Sequence, residues 1–206
     1  MAQYFEIHPE NPQLRLIHRA VDIIRKGGVI VYPTDSSYAI ACHIDDKQAL
    51  DRVRRIRQLD DKHNFTLVCK DLTQVSNFTK ISNDAYRLIK ALTPGAFTFI
   101  LDATREVPRR LQHPRKKTIG IRIPDHPVTQ LLVQELGEPL LSSTLILPGD
   151  SEALTDPYEI RDRLEHELDL VIDAGVIASE QTTIIECSGN SCEIVRQGKG
   201  LAPMLD

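Results

Sequence analysis

Hydroxyls and cations collect where the apolar runs of this chain stop. Thr34, Ser36 and Ser37 follow Val29-Ile30-Val31-Tyr32-Pro33, while Thr118 opens and Arg122 closes the run Thr118-Ile119-Gly120-Ile121-Arg122. Ser142, Ser143 and Thr144 interrupt Pro139 to Leu147, Thr182 and Thr183 begin another run, and Arg196 ends the last. Each hydroxyl donates one hydrogen bond and a guanidinium binds two oxygens at once. Convergence of such groups from several strand ends would make a pocket for a phosphate or carboxylate. The sequence holds no Walker-type loop, GxGxxG, serine elbow or HExxH helix to suggest a different chemistry. His63, in the polar loop Asp60-Asp61-Lys62-His63-Asn64, and His126, between Pro124 and Pro127, are further candidates. Asp60 and Asp61 resemble the carboxylates of a magnesium site, but a solvated turn is their commoner role and no metal site is assigned.

Those groups need rigid elements behind them. Val29 to Tyr32 is too short for a helix and too continuously apolar for a half-exposed strand, so it reads as a buried strand. Pro33, with no N–H to give a sheet, ends it. Tyr4 to Ile7, Phe65 to Cys69, Phe97 to Leu101, Thr118 to Ile123, Pro139 to Leu147 and Leu170 to Ala174 read as further strands, with Thr182 to Cys187 and Cys192 to Gln197 as a closing pair. Helical spacing of Leu14, Ile17, Val21 and Ile24 predicts a helix over Gln13 to Lys26, stopped by Gly27-Gly28. A basic helix capped by Asp45 or Asp46 places Ala49, Leu50, Val53 and Ile56 on one face. Asp71 to Phe78, Asn83 to Leu92, Val128 to Leu136 and Tyr158 to Leu168 complete the helices. Arg105 to Lys117 is a loop or a short irregular helix. Strands and helices are interleaved without an evident linker, which predicts a single α/β (α+β) domain over residues 1–206 with a large mixed sheet.

Composition narrows the function. With 41% apolar and 26% charged residues, the 206-residue chain is an ordinary folded globular protein. Aromatics are only 5% and Trp is absent, which disfavours a base-stacking platform, with Tyr32, Tyr38, Phe97 and Phe99 as local candidates. No run approaches the ~20 apolar residues of a membrane span, and Met1-Ala2-Gln3-Tyr4 lacks a signal-peptide layout. A cytoplasmic location without a membrane partner is the expectation. The cysteines Cys42, Cys69, Cys187 and Cys192 form no CxxC pair and are expected as reduced structural thiols. The net charge of −4 conceals an asymmetry: Arg105, Arg109, Arg110, Arg115, Lys116 and Lys117 face only Glu106 within their segment. Arg52, Arg54, Arg55 and Arg57 form a second basic group, and Asp150 to Glu180 is acidic. Most charge runs are solvated surfaces, yet a local basic face on an acidic protein also suits a polyanionic partner met on one side.

Several spaced motifs, in order, carry a family resemblance. Pro33-Thr34-Asp35-Ser36-Ser37-Tyr38 resembles the PTxTxYG segment of the YrdC-like proteins, and Thr93-Pro94-Gly95-Ala96-Phe97-Thr98 their PGxxT turn. Arg122-Ile123-Pro124-Asp125-His126-Pro127 resembles their RxPxHP strand end, Thr182-Thr183-Ile184-Ile185 their STVVD strand, and Arg196-Gln197-Gly198 their RxG close. Typical members make threonylcarbamoyl-AMP from threonine, bicarbonate and ATP for tRNA modification, and the likeness is strongest to the YciO branch. The resemblance implies a twisted sheet around a large, positively charged concave pocket. It places Thr34, Ser36, Tyr38, Arg122, Ser142 and Thr182 at the threonine site and Arg57, His63, Thr118, Thr144 and Arg196 at the nucleotide site. For the branch it also implies affinity for double-stranded RNA, with Arg52, Arg54, Arg55, Arg109, Arg110, Arg115, Lys116 and Lys117 as the contacts.

Two departures bear on activity. Arg57-Gln58-Leu59 stands where the synthases have KxR, and Thr144-Leu145-Ile146 where they have SxN. A charged hydrogen bond contributes roughly 1.5–3 kcal/mol, so each lost donor weakens nucleotide binding by about tenfold to a hundredfold. The resemblance therefore implies an RNA-binding protein, on tRNA or ribosomal RNA, with a degenerate synthase site. The rival expectation is an enzyme, an L-threonylcarbamoyladenylate synthase or a relative, with ATP, threonine and magnesium as its ligands.

Overall fold

A computed structural model describes residues 1–205. The strands are β1 (Gln3–Glu6), β2 (Ile30–Pro33), β3 (Tyr38–His43), β4 (Thr66–Val68), β5 (Thr79–Lys80), β6 (Phe97–Ala103), β7 (Thr118–Arg122), β8 (Leu140–Thr144), β9 (Leu170–Asp173), β10 (Thr183–Ser188) and β11 (Ser191–Arg196). The helices are α1 (Leu14–Arg25), α2 (Lys47–Arg57), α3 (Leu72–Phe78), α4 (Asn83–Leu92), α5 (Pro127–Leu136) and α6 (Pro157–Leu164). One mixed sheet runs β1-β9-β2-β3-β8-β4-β7-β6-β10-β11, with β5 added beside β6. This is the mixed α/β architecture expected from the interleaved pattern.

Side-chain alternation decides which face each helix covers. Val31, Tyr38, Ile40, Leu67, Phe99, Ile121 and Ile185 point to one face, where they join Val53 of α2, Ile89 of α4 and Ile160 of α6 in a continuous core. Ile30, Tyr32, Ala39, Ala41, Val68, Leu140, Leu170 and Ile172 point to the other, beneath Ile17 and Ile24 of α1 and Leu132 of α5. Among the described residues this second core contains none from β6, β7, β10 or β11. On those strands the same face is half-exposed and mainly polar, as Thr98, Ile100, Thr118, Ile184 and Glu186 alternate with buried neighbours. Half of one sheet face is thus left open.

Local signals explain the boundaries. Asp46, Asp71, Ser82 and Asp156 each accept a backbone N–H at the start of their helices. Gly27, at φ 87°, turns the chain out of α1 in the left-handed region that other residues resist. The last helix ends at Leu164 rather than Leu168, because the N–H groups of Glu167 and Leu168 both turn back to Leu164 O. Strand β3 was not anticipated. It pairs antiparallel with β2 through a four-residue polar turn, Thr34 to Ser37.

Two further expectations need correction. Cys187 and Cys192 are not free thiols: they stand opposite one another across β10 and β11, with Cα atoms 4.1 Å apart, and form a disulfide. Cys42 and Cys69 are buried free thiols, as expected. Tyr32, Tyr38, Phe97 and Phe99 are buried and offer no surface for stacking. No helix among the described residues is long and apolar enough to cross a membrane.

Phe99 lies at the centre of β6, fully buried in the larger core. Phe99→Ala should lower the unfolding free energy by about 3–5 kcal/mol, read from the urea midpoint at unchanged slope.

Candidate functional site

The turn after β2 is built from its own side chains. Thr34 Oγ1 donates to Ser37 O at 2.6 Å and accepts the N–H groups of Ser36 and Ser37 at 3.2 and 3.1 Å. Asp35 projects from this turn toward β7. Its Oδ1 lies 2.5 Å from Arg122 Nη2, and its Oδ2 accepts the Asp125 N–H at 2.8 Å. Arg122 Nη1 also reaches Ser36 Oγ, 3.3 Å away. Both charged side chains are only 11% exposed. Arg122 Nε is buried without a partner in the protein, so the guanidinium still has a donor to give. From the C-terminal side Lys199 Nζ donates to Asp35 O at 2.7 Å and pairs with Glu180 at 2.9 Å.

A second group lies beside the first. Thr98 directly precedes Phe99, which pairs with Ile121, the residue before Arg122. Its hydroxyl is 2.8 Å from Thr182 Oγ1. Arg196 donates to Thr182 O through Nη2 at 2.9 Å and Nε at 3.2 Å, and burial pulls its pKa down. Gly120 forms the adjacent floor, where a Cβ would meet Thr66 Oγ1 at 2.9 Å. Thr118, half-buried, and Thr144, exposed, stand farther along the same face. Ser142 also points to this face, but its hydroxyl is 2.6 Å from the Tyr32 phenol. Burial pushes that phenol up to about 12, which keeps it a donor.

A third group turns the other way. Ser143 alternates away from Ser142, and its hydroxyl accepts from Arg57 Nη1 and lies 3.0 Å from His63 Nε2. Arg57 Nε donates to Ile146 O at 2.9 Å. Burial, then the nearby Arg57 and Arg54, lowers His63 to about 4. Tyr38, expected at the substrate site, sits on the helix-covered face. Its hydroxyl donates to Gly175 O at 2.6 Å and accepts the Ala174 N–H, fixing the segment after β9. Leu59 packs against the large core.

The expected residues therefore fall into connected groups rather than one set. Thr34, Ser36, Arg122, Thr182 and Arg196 gather at strand ends; Arg57 and His63 belong to the Ser143 group; Tyr38 and Ser142 anchor structure. Asp35, Thr98 and Lys199 were not expected. Asp35 was at least visible as the one carboxylate in the hydroxyl-rich turn, whereas Lys199 contacts it from 164 residues away and left no local signal.

The basic segments meet in part. Arg109, Gln112 and Lys117 separate two adjoining surface cavities, of about 1080 and 430 Å³. Lys80 and Arg105 line the first; Lys47, Arg54 and Arg110 line the second. Arg110 Nη2 fastens the loop to Asp45 O before α2 at 3.1 Å. Arg115 is exposed on the same loop, and Lys116 reaches Glu186. Arg52 and Arg55 point elsewhere, to Asp169 at 2.7 Å and Glu167 at 3.5 Å. Two of the three α2 arginines expected as RNA contacts are therefore spent on internal ion pairs, and the third, Arg54, lies 3.7 Å from Asp61.

The comparisons agree with this fold. The Sua5/YciO/YrdC family model, which carries the description telomere recombination, matches residues 22–198, and the chain belongs to that family as a YciO-type member. YciO of Escherichia coli K12, an uncharacterized protein, is 54% identical over 200 residues, covering 97% of each chain. Its crystal structure superposes with a TM-score of 0.95 at 52% identity over the whole of both chains. The threonylcarbamoyl-AMP synthase of Vibrio vulnificus YJ016 is 26% identical over 159 residues, covering 76% of this chain and 84% of the synthase. Sua5 of P. abyssi complexed with L-threonine shares the fold, with a TM-score of 0.86 at 20% identity over 95% of this chain and 57% of that one.

Two outcomes follow. Arg122→Met should cost about 3–5 kcal/mol in chemical denaturation, because it strands the Asp35 carboxylate in a buried turn. The pKa of His63 in the folded protein, about 4, lies below its usual 6.5, so between those values the unfolded chain binds the extra proton and stability falls as the pH drops. Melting curves of His63→Gln should show a smaller loss of Tm from pH 6.5 to 4 than the parent.

Proposed function

We propose that this protein binds structured, double-stranded RNA, as found in tRNA or ribosomal RNA, across the basic face at the far end of β6 and β7, with a nucleotide site weakened relative to the synthases. The observation that carries this reading is the pair of adjoining cavities divided by Arg109 and Lys117 and flanked by cations from α2, β5 and the loop before β7. A-form RNA offers little to side chains in its deep major groove. Proteins meet it through phosphates, 2′-hydroxyls and shape across the minor groove. A loop ridge with a cationic trough on each side suits two phosphate rows. The loop is anchored rather than free, since Val107 and Leu111 are buried in the core.

The weakened nucleotide site has its own support. Leu59 and Ile146, at the positions that the family resemblance equates with a synthase cation and carboxamide, offer only hydrocarbon side chains. Leu59 is committed to the core and cannot be replaced in its role by a small movement. Catalysis of adenylate formation depends on donors aimed at the phosphates, so losing two removes binding and transition-state stabilisation together.

Fluorescence anisotropy with an RNA duplex of about 20 base pairs tests the reading. Log affinity should fall linearly with log salt, and Arg109→Gln and Lys117→Gln should each reduce the slope by about 1 with little dependence on duplex sequence. Salt-independent binding, or slopes in both variants unchanged from that of the parent, would refute it.

A further inference from the structure

The sheet edge and the basic face meet at a single ion pair. In the β10–β11 ladder the disulfide-bonded Cys187 and Cys192 are directly opposed, and the next opposed pair is Glu186 and Glu193. Alternation puts the disulfide on the helix-covered side and both carboxylates on the open one. Like charges directly opposite in a ladder repel. Lys116 of the basic loop offsets this repulsion, with Nζ 2.9 Å from Glu186 Oε1. A register shift between Ile184 and Ile185 separates this hairpin tip from the Arg196 end.

The disulfide spans only five positions in sequence. Cross-links over short loops constrain the unfolded chain least, so holding the fold together is a minor role for it. It is also approachable. Cys187 lines a surface cavity of about 260 Å³ with Lys80, Asp102 and Gly189.

We propose that the Cys187–Cys192 disulfide is a redox switch on the basic face: oxidised, it holds Glu186 opposite Glu193 and keeps Lys116 engaged, and reduced, it frees Lys116 to meet phosphate. This inference rests on the RNA-binding reading for its consequence, though not for its mechanism. The reductant is a dithiol. Its first thiolate attacks Cys192 Sγ, breaking the S–S bond, forming a mixed disulfide and expelling the Cys187 thiolate, which takes up a proton. Its second thiol loses a proton and attacks the mixed disulfide, which releases Cys192 as a thiolate that is protonated in turn. The protein disulfide gains two electrons and two protons, and the dithiol becomes a disulfide.

Two measurements on the full chain test the switch. The first needs no RNA: acylation of Lys116 by an amine-reactive reagent, followed by mass spectrometry, should be slower in oxidised protein than after dithiothreitol. The second is anisotropy with the RNA duplex, where reduced protein should bind about threefold to tenfold more tightly, the worth of one phosphate contact near 0.1 M salt. Glu186→Gln should bring the oxidised protein to the affinity of the reduced one, and Cys192→Ser should ignore reductant. Equal Lys116 reactivity in the two forms, or free thiols at both cysteines after air oxidation, overturns the switch. A redox difference at Lys116 without RNA binding by either form would support the switch and refute the RNA reading. RNA binding that is indifferent to redox state, with indifferent Lys116 reactivity, would do the reverse.

Discussion

The Asp35–Arg122 ion pair holds together what the strand order keeps apart. β2 and β7 are separated in the sheet by β3, β8 and β4, yet the turn after one is bonded to the last residue of the other. The contact forms because the turn reaches back across the sheet end, with Thr34 bonding the backbone into a compact loop and leaving Asp35 to face outward. A buried pair of this kind gains little net stability from its attraction, because desolvating both charges offsets most of it. Its value lies in geometry. Ser36 and Asp35, itself held by the Asp125 N–H, fix the Arg122 side chain, and Arg122 in turn keeps the turn beside the Thr98–Thr182 hydroxyls.

The uneven covering of the sheet gives that cluster its setting. Helices α1 and α5 cover one face only over β9, β2, β3, β8 and β4. The remaining strands must present that side to water, which is why Thr98, Thr118 and Glu186 alternate with Phe97, Ile119 and Ile185 rather than with a second apolar row. Glycine at position 120 deepens the same floor, where any Cβ would press on Thr66 and Phe65 O. An open polar face bordered by a fixed arginine is suited to anions and poorly suited to apolar ligands. This agrees with family membership without requiring that the synthase reaction be retained.

Much of this was legible in the sequence where punctuation and periodicity coincide. Pro33, Pro124 and the Thr93-Pro94-Gly95 turn marked strand ends, and the 3.6-residue spacing of Leu14 to Ile24 marked α1. Strand β3 was missed although Tyr38 to Cys42 is an apolar run four residues beyond another, a spacing that allows a hairpin. The polar turn drew attention away from the run that follows it. On α2 the arginines were visible as a basic group, but their directions depend on which neighbours the fold supplies. Arg52 and Arg55, one turn apart, face the acids of the α6–β9 connection, while Arg54 lies over the Phe65 ring. The disulfide was illegible because it is fixed by ladder register, and a four-residue gap between cysteines says nothing about register.

Distance along β7 keeps two charged regions apart. Arg122 ends the strand at the hydroxyl cluster, and Lys117 precedes it at the basic ridge, five residues away or roughly 16 Å along an extended chain. At physiological ionic strength that is about twice the screening length, so the two charged regions act on their ligands almost independently. The field around Arg109 and Lys117 is therefore set by their own loop and by α2 and β5, which supply the other cations of the two cavities, rather than by Arg122. No shared charge forces an anion site at Arg122 and the basic ridge to change together, because the one is held by Asp35 and Ser36 and the other stands in solvent at the opposite end of the strand.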